Sequence, residues 1–286
     1  MSVGLAGAFS IIQSPTDSPN CADPGDAVSD HHGGPQVLVL TPVKNARAYL
    51  DAYFALLDRL TFPHERISLG LLESDSTDGT FAEIEQRLPE LNLRFRRAQA
   101  WKRDFGFHLP ADLPRWAPSL QIPRRTILAK SRNHLLMRAL DDEDWVLWID
   151  VDVTDYPADI VERLLAYGKD ILHPHCVTEP DGPTFDLNAW REDGKVHMDK
   201  LRGGPDLARL DSVGGTMLMI RADLHRDGLI FPPFFYGRGS EAIRRRHPLL
   251  GKAAGELETE GLAIMARDMG VQCWGLPNLE ILHRND

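Results

Sequence analysis

The sequence predicts an α/β protein in which a mostly parallel sheet is covered by helices on both faces. Three observations carry that expectation. From residue 36 onward, apolar runs of strand length alternate with stretches whose apolar residues recur at helical spacing, and a βαβα order implies a parallel sheet. Three early strands run straight into polar residues. One of them, Trp145-Val146-Leu147-Trp148-Ile149, ends in two carboxylates, Asp150 and Asp152, at positions i and i+2.

The elements follow in order. Gln36-Leu40 is a short strand, and Asn45 can cap a helix whose Leu50, Tyr53, Phe54 and Leu57 share a face. Ile67-Leu72 is a second strand. The polar loop Ser74 to Thr80 comes next, then a helix with Phe81, Ile84 and Leu88 inward, and Leu91-Phe95 reads as a third strand. Gly106 to Pro123 holds Pro110, Pro114, Pro118 and Pro123, so it reads as a surface loop and not a regular helix. Thr126 to Leu140 is helical, with Leu128, Leu135, Leu136 and Ala139 inward. After the strand ending at Asp150, Pro157 opens a helix that Gly168 ends. Ile171-Leu172, Thr216-Ile220 and Val271-Trp274 are short strands, and Thr259-Met269 is a helix stopped by Gly270.

Residues 1–35, rich in Ser, Pro, Asp and Gly, read as a disordered leader, and residues 36–286 as one domain. His31 and His32 belong to that leader and weigh as a solvated tail before a metal site. The formal net charge of −10, from 42 acids against 32 bases, excludes the basic footprint of a nucleic-acid binder and gives no help at an anionic membrane. Three separated cysteines, without C-x-x-C, exclude a disulfide framework or a structural zinc site. No apolar run reaches the roughly 18 residues of a membrane span, and Met1 to Ile12 has no basic flank. The expectation is a cytoplasmic chain with neither signal nor anchor. A homo-oligomer is compatible with all of this.

In a strand, alternate residues share a face, and ligands of open α/β sheets bind at the strands' C-terminal edge. There, Asp150 and Asp152 can hold one Mn²⁺ or Mg²⁺ and, through it, a diphosphate. Read alone, the pair serves equally as the solvated end of a strand. Thr41-Pro42-Val43-Lys44-Asn45 and Glu73-Ser74-Asp75 end two further strands on the same edge, where Asp75 can accept hydrogen bonds from a ribose or base. Ser, Asp and Gly favour turns anyway, so the loop from Ser74 reads first as a capped turn. Arg132 and Asn133 interrupt a core-facing helix. A positive group there suits a diphosphate or a site carboxylate, and Asn is a poor mid-helix choice. Gly214-Gly215 allows close backbone approach. Glu256, Glu258 and Glu260 precede a helix, where acids complement the dipole, with room for one catalytic carboxylate. His283 stands near the C-terminus, where fraying is the ordinary reading.

Ordered pieces of the chain resemble glycosyltransferase family 62, the fungal Golgi α-mannosyltransferases of the mannan polymerase complexes. They include Leu38 to Asn45, Ile67 to Ser76, Ser131-Arg132-Asn133, Trp145 to Val153, Asp186 to Trp190, Val213 to Thr216, Glu258 to Gly261 and Gly275 to Asn278. The resemblance implies a GT-A type, Rossmann-like fold, a GDP-mannose donor, Mn²⁺ and retention of configuration. It implies Asp150, Asp152 and His283 as metal ligands, and Asp150, Asp152 and Glu260 as the catalytic set. Nucleotide contacts would come from Thr41, Pro42, Val43, Asn45, Asp75, Ser76 and Arg132. Asn188, Trp190, Gly215 and Glu258 would lie on the sugar or acceptor side, the acceptor being a glycan or small molecule. The chain departs from the fungal pattern in its N-terminus and in the charged stretch 237–252.

Two other classes fit parts of the same residues. Asp150-Val151-Asp152-Val153-Thr154 matches the D-x-D-x-T motif of haloacid-dehalogenase phosphatases, with Asp150 as nucleophile and Asp152 as acid/base. That motif normally sits on the first strand. A nucleotidyltransferase would want a Gly- and Arg-rich loop where Pro42 to Asn45 stands. The third alternative is a non-catalytic sugar-binding subunit.

Overall fold

A computed structural model describes residues 33–108, 110, 117–237 and 255–284. The leader, with His31 and His32, and most of the charged stretch 237–252 lie outside the described residues. Residues 35–286 form one compact unit.

The described strands β1 (Val37–Val43), β2 (Ile67–Glu73), β3 (Arg97–Lys102), β4 (Trp145–Ile149), β5 (Val153–Asp155), β6 (Ile171–Val177), β9 (Ala208–Leu210), β10 (Met217–Arg221) and β11 (Cys273–His283) make one nine-stranded sheet, while β7 (Trp190–Arg191) and β8 (Val196–His197) form a separate ribbon. The order is β3-β2-β1-β4-β10-β6-β11-β5, with β9 on β11. Strands β3, β2, β1 and β4 are parallel, and β10 runs antiparallel to both β4 and β6. Side chains of β4 alternate between two cores. Leu147 and Ile149 face α1 (Leu50–Asp58), α2 (Thr80–Arg94) and α4 (Ile160–Ala166), while Val146 and Trp148 face α3 (Pro118–Ala139), α5 (Ala222–Arg226) and α6 (Glu258–Asp268). The α/β class with helices on both faces is therefore as predicted, and the antiparallel strands gather in the second half.

Several boundaries differ from expectation. Leu91-Phe95 is not a strand. Buried Ile84 and Leu91 fall seven residues apart on one helical face, so α2 runs through Pro89, and the third strand begins at Arg97. Asn92 then ties the helix end to β3, accepting from Ala98 N–H at 2.8 Å and donating to its carbonyl at 2.9 Å. The proline-rich stretch is helical from Pro118, which sits in the first turn where a missing N–H costs nothing; Pro123 follows inside the helix. Asn45 does not cap α1. It is exposed at φ 48°, and its side chain accepts from Thr77 N–H at 2.9 Å. The last strand extends ten residues beyond Cys273, to His283.

Candidate active site

Two carboxylates and an imidazole converge where the parallel half of the sheet meets β10. The Asp150 N–H donates to the Thr216 carbonyl at 2.9 Å, which anchors the turn after β4 to the start of β10. Val153 N–H donates back to the Asp150 carbonyl at 3.3 Å. β5 then pairs with the end of β11, setting Val153 opposite His283. A ligand atom from each of Asp150, Asp152 and His283 lies within 4.8 Å of the others. His283 is thus no frayed tail: it is buried, stacked on Phe185 with ring centroids 4.2 Å apart, and its Nε2 is 3.0 Å from Asp152 Oδ1. Its Nδ1 lies 2.6 Å from the Arg284 carbonyl. A carbonyl can only accept, so Nδ1 carries the proton, and in the neutral ring the Nε2 lone pair faces the carboxylates.

Arg132 projects from α3 behind this cluster. It is buried under Phe231 and Trp148, with centroid distances of 5.1 and 6.0 Å. Its guanidinium ion-pairs with buried Glu258, donates to the Gly215 carbonyl at 3.1 Å, and reaches Asp150 Oδ1 at 3.4 Å. A Cβ on Gly215 would overlap that guanidinium, and one on Gly214 would overlap the Asp186 carboxylate. That close approach is why two glycines precede β10. Asp186 accepts from Gly215 N–H at 3.0 Å, Thr216 N–H at 3.2 Å and the Thr216 hydroxyl at 2.7 Å. Burial acts to raise the Asp186 carboxyl, but His173 and these donors hold it far below the usual range. Asp150 goes the other way. Burial first, then the neighbouring Asp152 charge, push its carboxyl up to about 6 against the pull of Arg132. For His283, burial acts to lower the imidazole, and the Asp152 hydrogen bond and charge outweigh it, so the net shift is upward.

A cleft of about 500 Å³ opens in front of the cluster, walled by Asp150, Asp152, His283, Arg132, Asn188, Gly215 and Glu258. A narrower one of about 160 Å³ adjoins it, lined by Pro42, Val43, Lys44, Asp75 and Phe107; Arg124 and Leu128 border both. Other predicted residues stand back from these clefts or are already engaged by the fold. Thr41 is buried, its hydroxyl donating to the Ile149 carbonyl at 2.8 Å. Asn45 and Ser76 brace one another, Asn45 N–H donating to Ser76 Oγ at 2.9 Å. Asp75 lines the narrow cleft at φ 54°, yet its carboxylate already accepts backbone N–H from Phe105, Gly106 and Phe107. Glu260 is held by Arg125 at 2.9 Å and by the Trp190 indole N–H at 3.1 Å, so both residues brace the wall. Asn133, read as functional because Asn suits a helix poorly, is a buried anchor: it donates to the Phe231 carbonyl at 2.7 Å and accepts its N–H at 2.9 Å. Arg124, Arg125 and Asp186 were missed. Arg125, Leu128 and Arg132 stand at i, i+3 and i+7, a helical stripe legible in the sequence; a single buried acid such as Asp186 has no such signal.

The sheet order and the helices on both of its faces define a GT-A type glycosyltransferase fold. Two solved structures share it: the mannosyltransferase PcManGT from Pyrobaculum calidifontis, in complex with GDP-Man and Mn²⁺ (TM-score 0.53, 15% identity, 87% of this chain and 56% of that one), and S. aureus TarS 1-349 with UDP-GlcNAc (TM-score 0.51, 14% identity, 88% and 59%). The chain belongs to the Anp1 family, whose sequence profile matches residues 26–203 and 195–235. Relatives include the mannan polymerase II complex anp1 subunit of Schizosaccharomyces pombe (30% identical, 89% of this chain, 65% of the relative). The mannan polymerase complex subunit MNN9 of Candida albicans is 28% identical, covering 88% of this chain and 75% of the relative. The chain thus spans about two thirds to three quarters of these two relatives, and 55% of the Saccharomyces cerevisiae ANP1 subunit. Among the described residues, no helix is long and apolar enough to cross a membrane.

Proposed function

We propose that this chain is a metal-dependent retaining glycosyltransferase that moves mannose from GDP-mannose to a hydroxyl of a glycan or small acceptor. The observation that carries the reading is the cluster of Asp150, Asp152 and His283 at the floor of the large cleft. Membership of the Anp1 family supports the mannosyl donor, and a protein of the same fold was solved with GDP-Man and Mn²⁺.

The donor set fits a hard divalent cation: two carboxylates offer oxygens, and a backbone carbonyl orients the imidazole so that Nε2 faces them. Asp150, Asp152 and His283 would hold the ion. When bound, a divalent cation supplies Lewis-acid neutralisation of the leaving diphosphate. Arg132 holds Asp150 in place and adds fixed positive charge beside the same carboxylate. Arg124, at the boundary of the two clefts, lies where a diphosphate would bridge the nucleotide and the sugar. The narrow cleft takes the base between Val43 and Leu128. Asp186 and Glu258 are both engaged by donors on this chain, so neither is a free nucleophile. The acceptor hydroxyl therefore attacks on the leaving-group face and passes its proton to the departing phosphate, through an oxocarbenium-like transition state.

The test is a transfer assay with GDP-mannose, Mn²⁺ and a mannobiose acceptor, following GDP release and product linkage. The expected result is Mn²⁺-dependent product of α configuration, with Asp152→Ala lowering turnover on the order of 10²–10³-fold. Undiminished turnover in Asp152→Ala would remove the metal assignment. Donor binding with no turnover, for any acceptor supplied, would point to the sugar-binding subunit.

A further inference from the structure

Away from the cleft, a cavity of about 470 Å³ is lined among the described residues by Arg191, Lys200, Arg202 and Arg209 and by no acidic residue. In a chain with 42 acids against 32 bases, that is a local reversal of charge. The cavity lies at the start of β11, beside Trp274, nine residues before His283. It shares no lining residue with the large cleft, although Arg191 on its wall follows Asn188 of that cleft by three residues.

Arg191 is paired with Glu192 at 3.1 Å, while two other cations of the lining, Arg209 and Lys200, stand without an acidic partner among the described residues. Arg209 faces Trp274 across the β9–β11 pair, with its guanidinium 5.6 Å from the ring centroid, and Lys169 stands 5.1 Å from the same ring. Among the described residues neither has an acidic partner, and Lys200 bonds only the Lys195 carbonyl, at 3.0 Å. Arg202 is different: it pairs with Glu280 at 2.5 Å and donates to the Asp181 and Gly182 carbonyls, so it fixes the wall. The Gly203-Gly204-Pro205 turn is pinned from outside by Asn278, which accepts from Gly203 N–H at 2.8 Å and donates to the Gly204 carbonyl at 3.0 Å. The concavity is thus built by the fold, and Arg209 and Lys200, two cations on its wall with no acidic partner among the described residues, favour an anion.

We propose that this cavity is a second binding site, for a phosphorylated saccharide. The volume is several times what a phosphate alone fills and falls in the range of small-molecule sites. Arg209 and Lys200 take the phosphate oxygens. The apolar surfaces of Leu207 and Pro205 face the C–H side of the sugar ring. None of its lining residues belongs to the metal cluster or to the large cleft, so it holds the charged sugar on side chains of its own.

The test is calorimetric titration of glucose 6-phosphate into the full chain, into Asp152→Ala, and into Arg209→Ala and Lys200→Ala. Both basic side chains are exposed, so these variants are expected to keep the parent melting temperature. The parent and Asp152→Ala should bind alike, the two cation variants should bind at least about tenfold more weakly, and Arg209→Lys should recover most of the loss. No binding, equal affinity in the cation variants, or equal affinity for glucose or for inorganic phosphate would each overturn the proposal. Failure of the transferase reading would show in Asp152→Ala turnover and leave this titration unchanged.

Discussion

At the scale of single residues, the cleft depends on groups whose neighbours forbid substitution. Gly215 is one. Any side chain there would displace Arg132 from Asp150 and Glu258. Gly215→Ala is expected to destabilise by about 1–3 kcal/mol, as overpacking does, and to lower turnover more than stability alone accounts for. Denaturant unfolding beside the transfer assay separates the two. His225 gives a pH signature. Burial holds its imidazole down to about 4 from the ordinary 6.5. The neutral ring is therefore what the fold accommodates, and its contribution is full above pH 6.5 and lost as pH falls toward 4. The linked loss is roughly 3 kcal/mol. Unfolding midpoints should drop across that window in the parent and drop less in His225→Gln; an equal drop in both would contradict the assignment.

At the scale of elements, the site is a product of anchored ends. Asn133 clamps both backbone groups of Phe231 to α3, and Phe231 in turn covers Arg132. Asn133→Ala leaves a buried N–H and a buried carbonyl without partners, at a cost of about 1–3 kcal/mol. Hydrogen exchange is expected to quicken at residues 229–233 first; unchanged protection there would show that the clamp is idle. The same residue marks where the sequence was readable and where it was not. Helical periodicity and an apolar strand ending in Asp150 and Asp152 declare themselves locally. The role of Asn133 does not, because its partner is a backbone group 98 residues away. Nor does the engagement of Asp75 by three amides of a distant loop, or the bracing of Glu260 by Arg125 and Trp190. His283 shows the limit most clearly: its place near the chain end signalled fraying, and only the pairing of β11 with β5 brings it to Asp152. The resemblance to a known family groups His283 with Asp150 and Asp152, a neighbourhood that local reading does not reach.

At the scale of the whole molecule, the parallel half of the sheet delivers Pro42, Val43 and Asp75 to the narrow cleft, and the strands around β10 and β11 deliver Gly215 and His283 to the wide one. The two clefts meet at Arg124 and Leu128, the geometry a nucleotide sugar needs if its base and its sugar are to lie on opposite sides of a diphosphate. The most direct measurement is calorimetric titration of GDP into the full chain with and without Mn²⁺, repeated on Asp152→Ala and His283→Ala. The account predicts binding that requires Mn²⁺, and that weakens on the order of 10–100-fold or more in either variant. Equal GDP affinity with and without Mn²⁺, or undiminished affinity in both variants, would contradict it.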